Sequence, residues 1–212
     1  MSAAVSLVSI TPDAQHLIAY CARVSNPSNQ QNLDTEEKLL RYLIKHNHWS
    51  PFEMAHMVVE INTTRAIAAQ ILRHRSFSFQ EFSQRYADVT SIGSPMIPML
   101  RRQDLKNRQN SIDDLDAKKK EVFYRRIGQL FAEVDDLYRE MVSSGVAKEC
   151  ARAILPMASP SRLYMAGSIR SFIHYCQVRC DVSTQLEHRV IAEQVRQILH
   201  QQIPALSFKT NE

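Results

Sequence analysis

Apolar residues along the chain follow two different periods, which predict strands separated by helices. Residues 5–10, 55–62 and 162–168 are short runs of apolar or β-branched residues, which are typical of strands. Residues 13–22 and 36–46 instead carry apolar side chains three and four positions apart, which is the spacing of one helix face. The alternation of the two patterns predicts a mixed domain with few strands and more helical segments.

The second half of the chain is dominated by helical spacing. Residues 113–144 are charged but carry apolar side chains at three- and four-residue intervals, which predicts a long two-sided helix whose charged face meets solvent. A short helix is predicted at 147–155, and two more at about 169–180 and 184–202. Together the patterns predict an α+β fold in one domain, residues 1–212: a small, mostly antiparallel sheet packed by helices, including long central helices.

Three connecting segments complete the prediction. Residues 65–75 read as a helix that Thr63 or Thr64 can cap. The phrase HWSPFE at 48–53 contains a proline and predicts a loop, and residues 90–112 predict a mobile loop or insertion.

Composition narrows the class of protein. The chain has 212 residues, of which 44% are hydrophobic and 23% are charged, as expected of a globular domain that buries its own core. No apolar run is long enough to cross a bilayer and the N-terminus does not resemble a secretory leader, so we expect a cytoplasmic protein without a membrane partner. Only four glycines occur, which leaves no phosphate loop or GxGxxG turn, so side chains or helix ends must hold any phosphate.

The cysteines do not form a recognisable disulfide or zinc pattern. There are four, with no CxxC motif, and reduced thiols are expected. Cys176 and Cys180 share a helix face near His174, which would suit a metal, although buried thiols more often act as small apolar groups. We expect no metal site.

The densest polar stretch is RHRSFSFQEFSQRY at residues 73–86. On the predicted helix Gln70, Arg73 and His74 occupy positions i, i+3 and i+4, so they share a face that could receive a ligand. The cations at 73–75 could instead complement the helix dipole. The dipole does not explain Arg85, whose guanidinium suits forked contact with phosphate.

This stretch resembles the signature of the flavin-dependent thymidylate synthases, in which RHR is followed by seven residues and a serine. Here the serine is Ser83, and the resemblance continues through HWSPFE at 48–53, GVAKECARAILP at 145–156 and IRSFIHYCQVRCD at 169–181. It therefore spans most of the chain in family order. His174 stands where the family often has asparagine, so a helix histidine bonded to a carbonyl is an equal alternative there.

The resemblance implies FAD as the cofactor, with NADPH and 5,10-methylenetetrahydrofolate as co-substrates, and dUMP as the substrate. The residues that it implies for FAD come from three segments of the chain: His48, Ser50, Arg73, His74, Arg75, Glu81, Ser168, Arg170 and His174. Those that it implies for dUMP are Gln70, Ile71, Leu72, Arg73, Glu81, Phe82, Ser83, Gln84, Arg85, Arg152 and Arg179. Arg152 could alternatively pair with Glu149 or with an acid on the long helix.

The implied chemistry is reductive methylation of dUMP to dTMP without a cysteine nucleophile. The resemblance gives the catalytic role to Arg179, which would stabilise an anionic pyrimidine electrostatically. Cys180, next to it, is read as structural. Arg170 and Arg179 lie nine residues apart, half a turn around a helix, so one pocket does not easily receive both. This supports the homotetramer with shared sites that the resemblance implies.

Two other functions fit parts of the sequence. The basic run at 101–108 and the RHR cluster could contact nucleic acid, although no nucleic-acid-binding motif is present and we expect no such partner. A family member that binds FAD and nucleotide but has lost activity would carry the same signature.

Overall fold

The structure is a computed structural model, in which residues 4–206 are described. The strands of that part of the chain are β1 (Ala4–Ile10), β2 (His56–Thr64), β3 (Ser78–Glu81), β4 (Arg102–Gln103), β5 (Ser111–Ile112) and β6 (Pro160–Ser168). Its α-helices are α1 (Ala14–Ala22), α2 (Glu36–Lys45), α3 (Arg65–Ile71), α4 (Ala117–Ser143), α5 (Lys148–Ala151), α6 (Ile169–Arg179) and α7 (Leu186–Gln202). The α+β class is confirmed.

The central sheet has four strands in the order β1-β2-β6-β3, and each neighbouring pair is antiparallel. Along β2 the side chains of Met57, Val59 and Ile61 are fully buried, while the residues between them are more exposed. Leu163 and Met165 repeat this alternation on β6. One face of the sheet therefore forms the floor of the core.

Helices from both ends of the chain cover that face. The main cluster of buried residues joins Ile18 of α1, Leu40 of α2, Phe172 of α6 and Ile191 of α7 to the sheet. Side-chain caps set where α3 and α6 begin: Thr64 accepts a hydrogen bond from the backbone N–H of Ile67, as predicted, and Ser168 accepts one from the backbone N–H of Ser171. Because Ser168 is also the last residue of β6, its cap places the first turn of α6 directly at the end of that strand.

Helix α4 lies outside this core. Its buried contact with the rest of the chain includes a second, smaller cluster that contains Tyr138 and Ala151. The side chains of Phe123, Leu130 and Leu137 are 47%, 55% and 47% exposed. Within residues 4–206 no helix, α4 included, is long and apolar enough to cross a bilayer. The prediction of a two-sided helix is right in period, but one apolar stripe remains uncovered in the single subunit.

The RHR region differs most from the sequence prediction. Helix α3 ends at Ile71 rather than near Arg75, and residues 78–81 form β3, which we did not predict. The alternating Phe77 and Phe79 pack against the core, and β3 pairs with β6 from Ser78 opposite Ala166 to Glu81 opposite Leu163. Because that pairing draws the chain away from the helix axis, the helix cannot continue through the arginines.

Two predicted loops contain regular structure. Residues Ser50–Glu53, within the phrase HWSPFE, form a 3₁₀ turn. The segment 90–112 contains the β4–β5 hairpin, and the backbone N–H of Leu100 donates to the Tyr124 hydroxyl of α4 at 2.9 Å. Both segments are thus built into the fold through hydrogen bonds.

Candidate functional site

A cavity of about 560 Å³ opens beside the first two turns of α6. Its wall is formed by α6, the turn after α2 and the segment that follows the RHR residues: Asn47, Trp49, Glu53, Ser76, Arg170, Ser171, Ile173, His174 and Gln177. This volume is typical of small-molecule sites. Arg170 and His174, four residues apart, both face it, as helical spacing predicts.

An ion pair fixes one wall of this cavity. Arg170 donates from Nη1 to Oε1 of Glu53 at 2.8 Å, which ties α6 to the 3₁₀ turn. Hydrogen bonding by Ser168 and then by Arg170 outweighs burial and lowers the pKa of the Glu53 carboxyl. Glu53, which we did not predict as a site residue, therefore stays ionised and holds Arg170 at the cavity edge.

His74 and Arg179 meet at a second cluster. Arg179 donates from Nε to Nε2 of His74 at 2.8 Å. Burial, with the charges of Arg179, His174 and Arg73 adding to it, lowers the pKa of His74 to about 4, so the ring is neutral at pH 7 and can accept this bond. Within residues 4–206 no hydrogen bond or ion pair occupies the two terminal nitrogens of Arg179, which remain able to fork toward an anionic ligand.

His188 lies behind this pair and was missed by the sequence analysis. It is fully buried, with Nδ1 3.2 Å from Oε1 of Gln70 and Nε2 3.1 Å from the Tyr175 hydroxyl. Burial first, and then the charges of Arg179 and His74, lower its pKa to about 3. A histidine on the apolar face of a predicted helix was the available signal, because a buried imidazole needs polar partners.

We expect His188 to make the protein less stable in acid. Its folded pKa of about 3 lies below the usual value of 6.5, so the unfolded chain binds the proton first and unfolding is favoured as pH falls below about 6.5. The free energy of unfolding should drop by about 1.4 kcal/mol per pH unit from this residue. The free energy of unfolding, measured by urea unfolding at several pH values between about pH 7 and about pH 5, should fall less steeply with pH in His188→Asn than in the wild type. Equal slopes would contradict the assignment.

A group of aromatic rings packs against the side chain of His74. The ring of Tyr175 lies 5.1 Å from that of His74 and 6.1 Å from that of Phe77, while Phe77 lies 4.8 Å from Phe172. Phe77 packs so closely on Gly167 of β6 that a Cβ there would lie 2.5 Å from its ring. Glycine at 167 thus gives the ring its place beneath the imidazole.

A third group of polar residues surrounds the end of β3. Glu81 accepts a hydrogen bond from the Ser161 hydroxyl at 2.7 Å and lies 3.7 Å from Arg65. The backbone N–H of Phe82 donates to Arg162 O at 2.8 Å, and the carbonyl of Ser83 accepts from Tyr86 and Ala87. These contacts hold the predicted substrate segment against β6.

Arg85 and Arg152 behave differently from the alternative that we considered. Arg85, rather than Arg152, pairs with Glu149, its Nη2 lying 3.0 Å from that carboxylate. Arg152, on the 3₁₀ turn after α5, has no ion pair within the described part of the chain. Pairing of Arg152 with Glu149 is therefore wrong, because Glu149 is already taken. Nor does any hydrogen bond or ion pair between described residues link Arg85 to the His74–Arg179 cluster.

The remaining predicted residues divide by exposure. His48, Ser50, Leu72, Arg73, Arg75 and His174 are exposed. Ile71 is fully buried in the core, so its side chain cannot reach a ligand. Gln84 is 5% exposed and its Nε2 has no partner among residues 4–206. His174 makes no bond to a carbonyl in that range, which removes the structural alternative for it.

The buried Cys176 and two arginines of the basic run have partners inside the fold. Cys176 is buried with its sulfur 3.9 Å from Ala192 O, and no cluster of three or more metal-binding side chains occurs within residues 4–206. In the basic run, Arg101 pairs with Glu187 and Arg102 with Asp114, so both charges are neutralised internally.

Comparison with known proteins identifies the family of the chain. Residues 6–205 match the profile of the thymidylate synthase complementing protein family. The chain is 53% identical over 191 residues to the flavin-dependent thymidylate synthase of Synechocystis, covering 90% of this chain and 86% of that protein. It is 47% identical over 194 residues to the probable flavin-dependent thymidylate synthase of Paramecium bursaria Chlorella virus 1, covering 92% and 89%.

The fold has a solved counterpart. The UMP/dUMP methylase PolB of Streptomyces cacaoi, bound with 5-Br dUMP, superposes with a TM-score of 0.84 at 25% identity over 97% of this chain and 93% of that one. Profile, sequence relatives and fold agree over nearly the whole length. The chain therefore belongs to the family of flavin-dependent thymidylate synthases.

Proposed function

We propose that this protein converts dUMP to dTMP, with 5,10-methylenetetrahydrofolate as the carbon donor, FAD as the flavin and NADPH as its reductant. The observation that carries the proposal is the pairing of Arg179 with a neutral His74, on the same helix as Arg170 and His174, which line the cavity. The family relationship supports the same reaction. A cytoplasmic location, where nucleotides are made, fits this activity.

The chemistry of the cavity wall suits a flavin nucleotide. Arg170 and His174 face the cavity, and the exposed Arg73 and Arg75 have no ion pair within the described residues, so their charges are available to a diphosphate. Trp49 offers an apolar ring surface on the same wall. When bound, reduced FAD supplies the hydride; the chain's own residues bind and orient. Ser50, His48, Glu81 and Ser168 complete the proposed set.

Arg179 is the proposed catalytic residue. Its Nε is held by His74, and its two terminal nitrogens have no hydrogen bond or ion pair within residues 4–206. A fixed guanidinium lowers the energy of negative charge that develops on a uracil ring, because it needs no reorganisation when that charge forms. Arg85 and Arg152 offer further positive charge for a nucleotide phosphate. To bind the phosphate, Arg85 would give up its ion pair with Glu149.

The proposed reaction uses no cysteine nucleophile. Cys176 is buried, and hydrogen bonding with Cys180 followed by burial raises its pKa, which keeps the thiol protonated. Cys180 directly follows Arg179, at the C-cap of α6. Turnover by Cys180→Ala is expected to persist.

The exposed stripe on α4 supports contact between copies of the chain, as the proposed homotetramer requires. Phe123, Leu130 and Leu137 recur every seven residues, so they form one apolar line along a 27-residue helix. Such a line on a folded subunit is the kind of surface that a second copy covers. In a shared site, Arg85 of one subunit would lie near the His74–Arg179 cluster of another.

The test is an absorption spectrum followed by anaerobic reduction. The purified protein should show bound flavin, NADPH should bleach it faster when dUMP is present, and adding methylenetetrahydrofolate should yield dTMP. Flavin and dUMP binding without dTMP would identify a family member that has lost activity. No flavin after incubation with FAD would overturn the proposal.

A further inference from the structure

A chain of hydrogen bonds runs from the 90–112 segment to the proposed nucleotide site. Arg101 donates from both terminal nitrogens to the Glu187 carboxylate, at 2.7 and 3.0 Å. Gln185 donates from Nε2 to Oε2 of Glu187 at 2.9 Å and accepts from Nε2 of Gln70 at 2.7 Å. Gln70 in turn meets His188. Three of these contacts join residues far apart in sequence, and the fourth, between Gln185 and Glu187, lies at the start of α7.

The carboxylate at one end fixes the direction of every bond in this chain. The hydrogen bond and charge of Arg101, helped by Gln185, outweigh burial and lower the pKa of Glu187, so it is ionised and only accepts. Gln185 must then turn its amide nitrogen to Glu187 and its oxygen to Gln70. Gln70 must turn its nitrogen to Gln185 and its oxygen to His188.

The buried end obeys the same order. Because Oε1 of Gln70 only accepts, His188 carries its proton on Nδ1, and its Nε2 accepts from the Tyr175 hydroxyl. Burial raises the pKa of Tyr175, so the hydroxyl keeps the proton that it donates. The Gln70 amide is therefore held from both sides in one of its two flipped states, with one N–H and one lone pair left for a ligand.

We propose that Arg101 is a positioning residue of the nucleotide site, which acts through Glu187 and Gln185 to fix the orientation of the Gln70 amide. This inference rests on the proposed function, since it takes Gln70 to face dUMP. It gives the β4–β5 segment a role that neither its composition nor the RHR signature indicates. Arg101 has a side chain 10% exposed, unlike the neighbouring Arg102 at 41%.

The pair Arg102–Asp114 provides a matched control. It joins the same segment by an ion pair of similar geometry, at 2.7 Å, but touches neither Gln185 nor Gln70. Glu187→Gln keeps the shape of the side chain and removes the charge that sets the bond direction. Asp114→Asn makes the equivalent change outside the chain of bonds.

The experiment is calorimetric titration of dUMP into the flavin-loaded protein, with flavin content and melting temperature recorded. Glu187→Gln and Arg101→Met should weaken dUMP binding at least about fivefold at unchanged flavin content, whereas Arg101→Lys, which can still pair, should recover most of it. Asp114→Asn should match wild type.

Wild-type dUMP affinity in Glu187→Gln, or an equal loss in Asp114→Asn, would overturn the positioning role alone. A wild-type protein that binds flavin but not dUMP would overturn both this inference and the proposed function. The wild-type titration thus separates the two failures before any variant is compared.

Discussion

Arg179→Ala should lose dTMP formation by at least about 10²- to 10³-fold while the protein still binds FAD. Removing one preorganised donor from a developing charge costs about that much in other enzymes, and here the donor carries a full charge. Flavin should remain because Arg179 contacts His74 and does not line the cavity of Arg170 and His174. Chromatographic measurement of dTMP, with a flavin spectrum of the same sample, checks both parts.

Two further variants sharpen this result. Arg179→Lys keeps a positive charge but loses the bond from Nε to His74 and the forked geometry, so it should recover only part of the activity. Arg41→Ala removes an exposed arginine that pairs with Glu37 within α2 and should leave turnover unchanged. Full activity in Arg179→Ala would remove the guanidinium from the mechanism.

Leu130→Glu should split the assembly into smaller particles. Leu130 is 55% exposed and lies between Phe123 and Leu137 on the α4 stripe, so in a tetramer a carboxylate there would be buried against apolar side chains. Burying an unpaired charge costs several kcal/mol, more than most single contacts can offset. Light scattering after gel filtration should show a smaller particle than the wild type.

The control for this prediction is Ala132→Glu on the same helix. Two residues turn an α-helix by about 200°, so Ala132 faces away from the stripe and receives the same charge change in solvent. Its particle size and flavin content should equal those of the wild type. A Leu130→Glu protein of wild-type size would show that the stripe does not join subunits.

The sequence predicts most elements because their periods are unambiguous. The run at 55–62 starts one residue before β2, the run at 162–168 lies within β6, and the helix at 36–46 matches α2 to within one residue. In these segments burial follows one period from end to end, which local pattern alone can reveal.

The RHR region could not be read in the same way. Residues 73–75 have good helical neighbours, and only the partner strand β6, more than 80 positions later, explains why the helix stops at Ile71. A four-residue strand with Phe77 just before it and Phe79 within it gives too few alternations to stand out. Tertiary pairing therefore overrides local propensity there.

The site shows the same division. Resemblance to the family named Arg170, His174, His74 and Arg179, and the structure places the first two on one cavity and the last two in contact. It did not name the residues that hold the site side chains in place, such as Glu53, which bonds Arg170, and His188, which bonds Gln70. Partners of this kind are chosen by three-dimensional proximity, and their sequence separations of 117 and 118 residues carry no local pattern.

The buried His188 also constrains how this protein can change over generations. Its imidazole bonds the Tyr175 hydroxyl and the Gln70 side-chain carbonyl at once, so an aliphatic residue at 188 would leave the buried Tyr175 hydroxyl without this partner and Gln70 without one of its bonds. Loss of the Tyr175 hydroxyl in the same lineage would relieve half of that cost. Positions 175 and 188 are therefore expected to covary among related sequences, so that an apolar residue at 188 accompanies phenylalanine at 175.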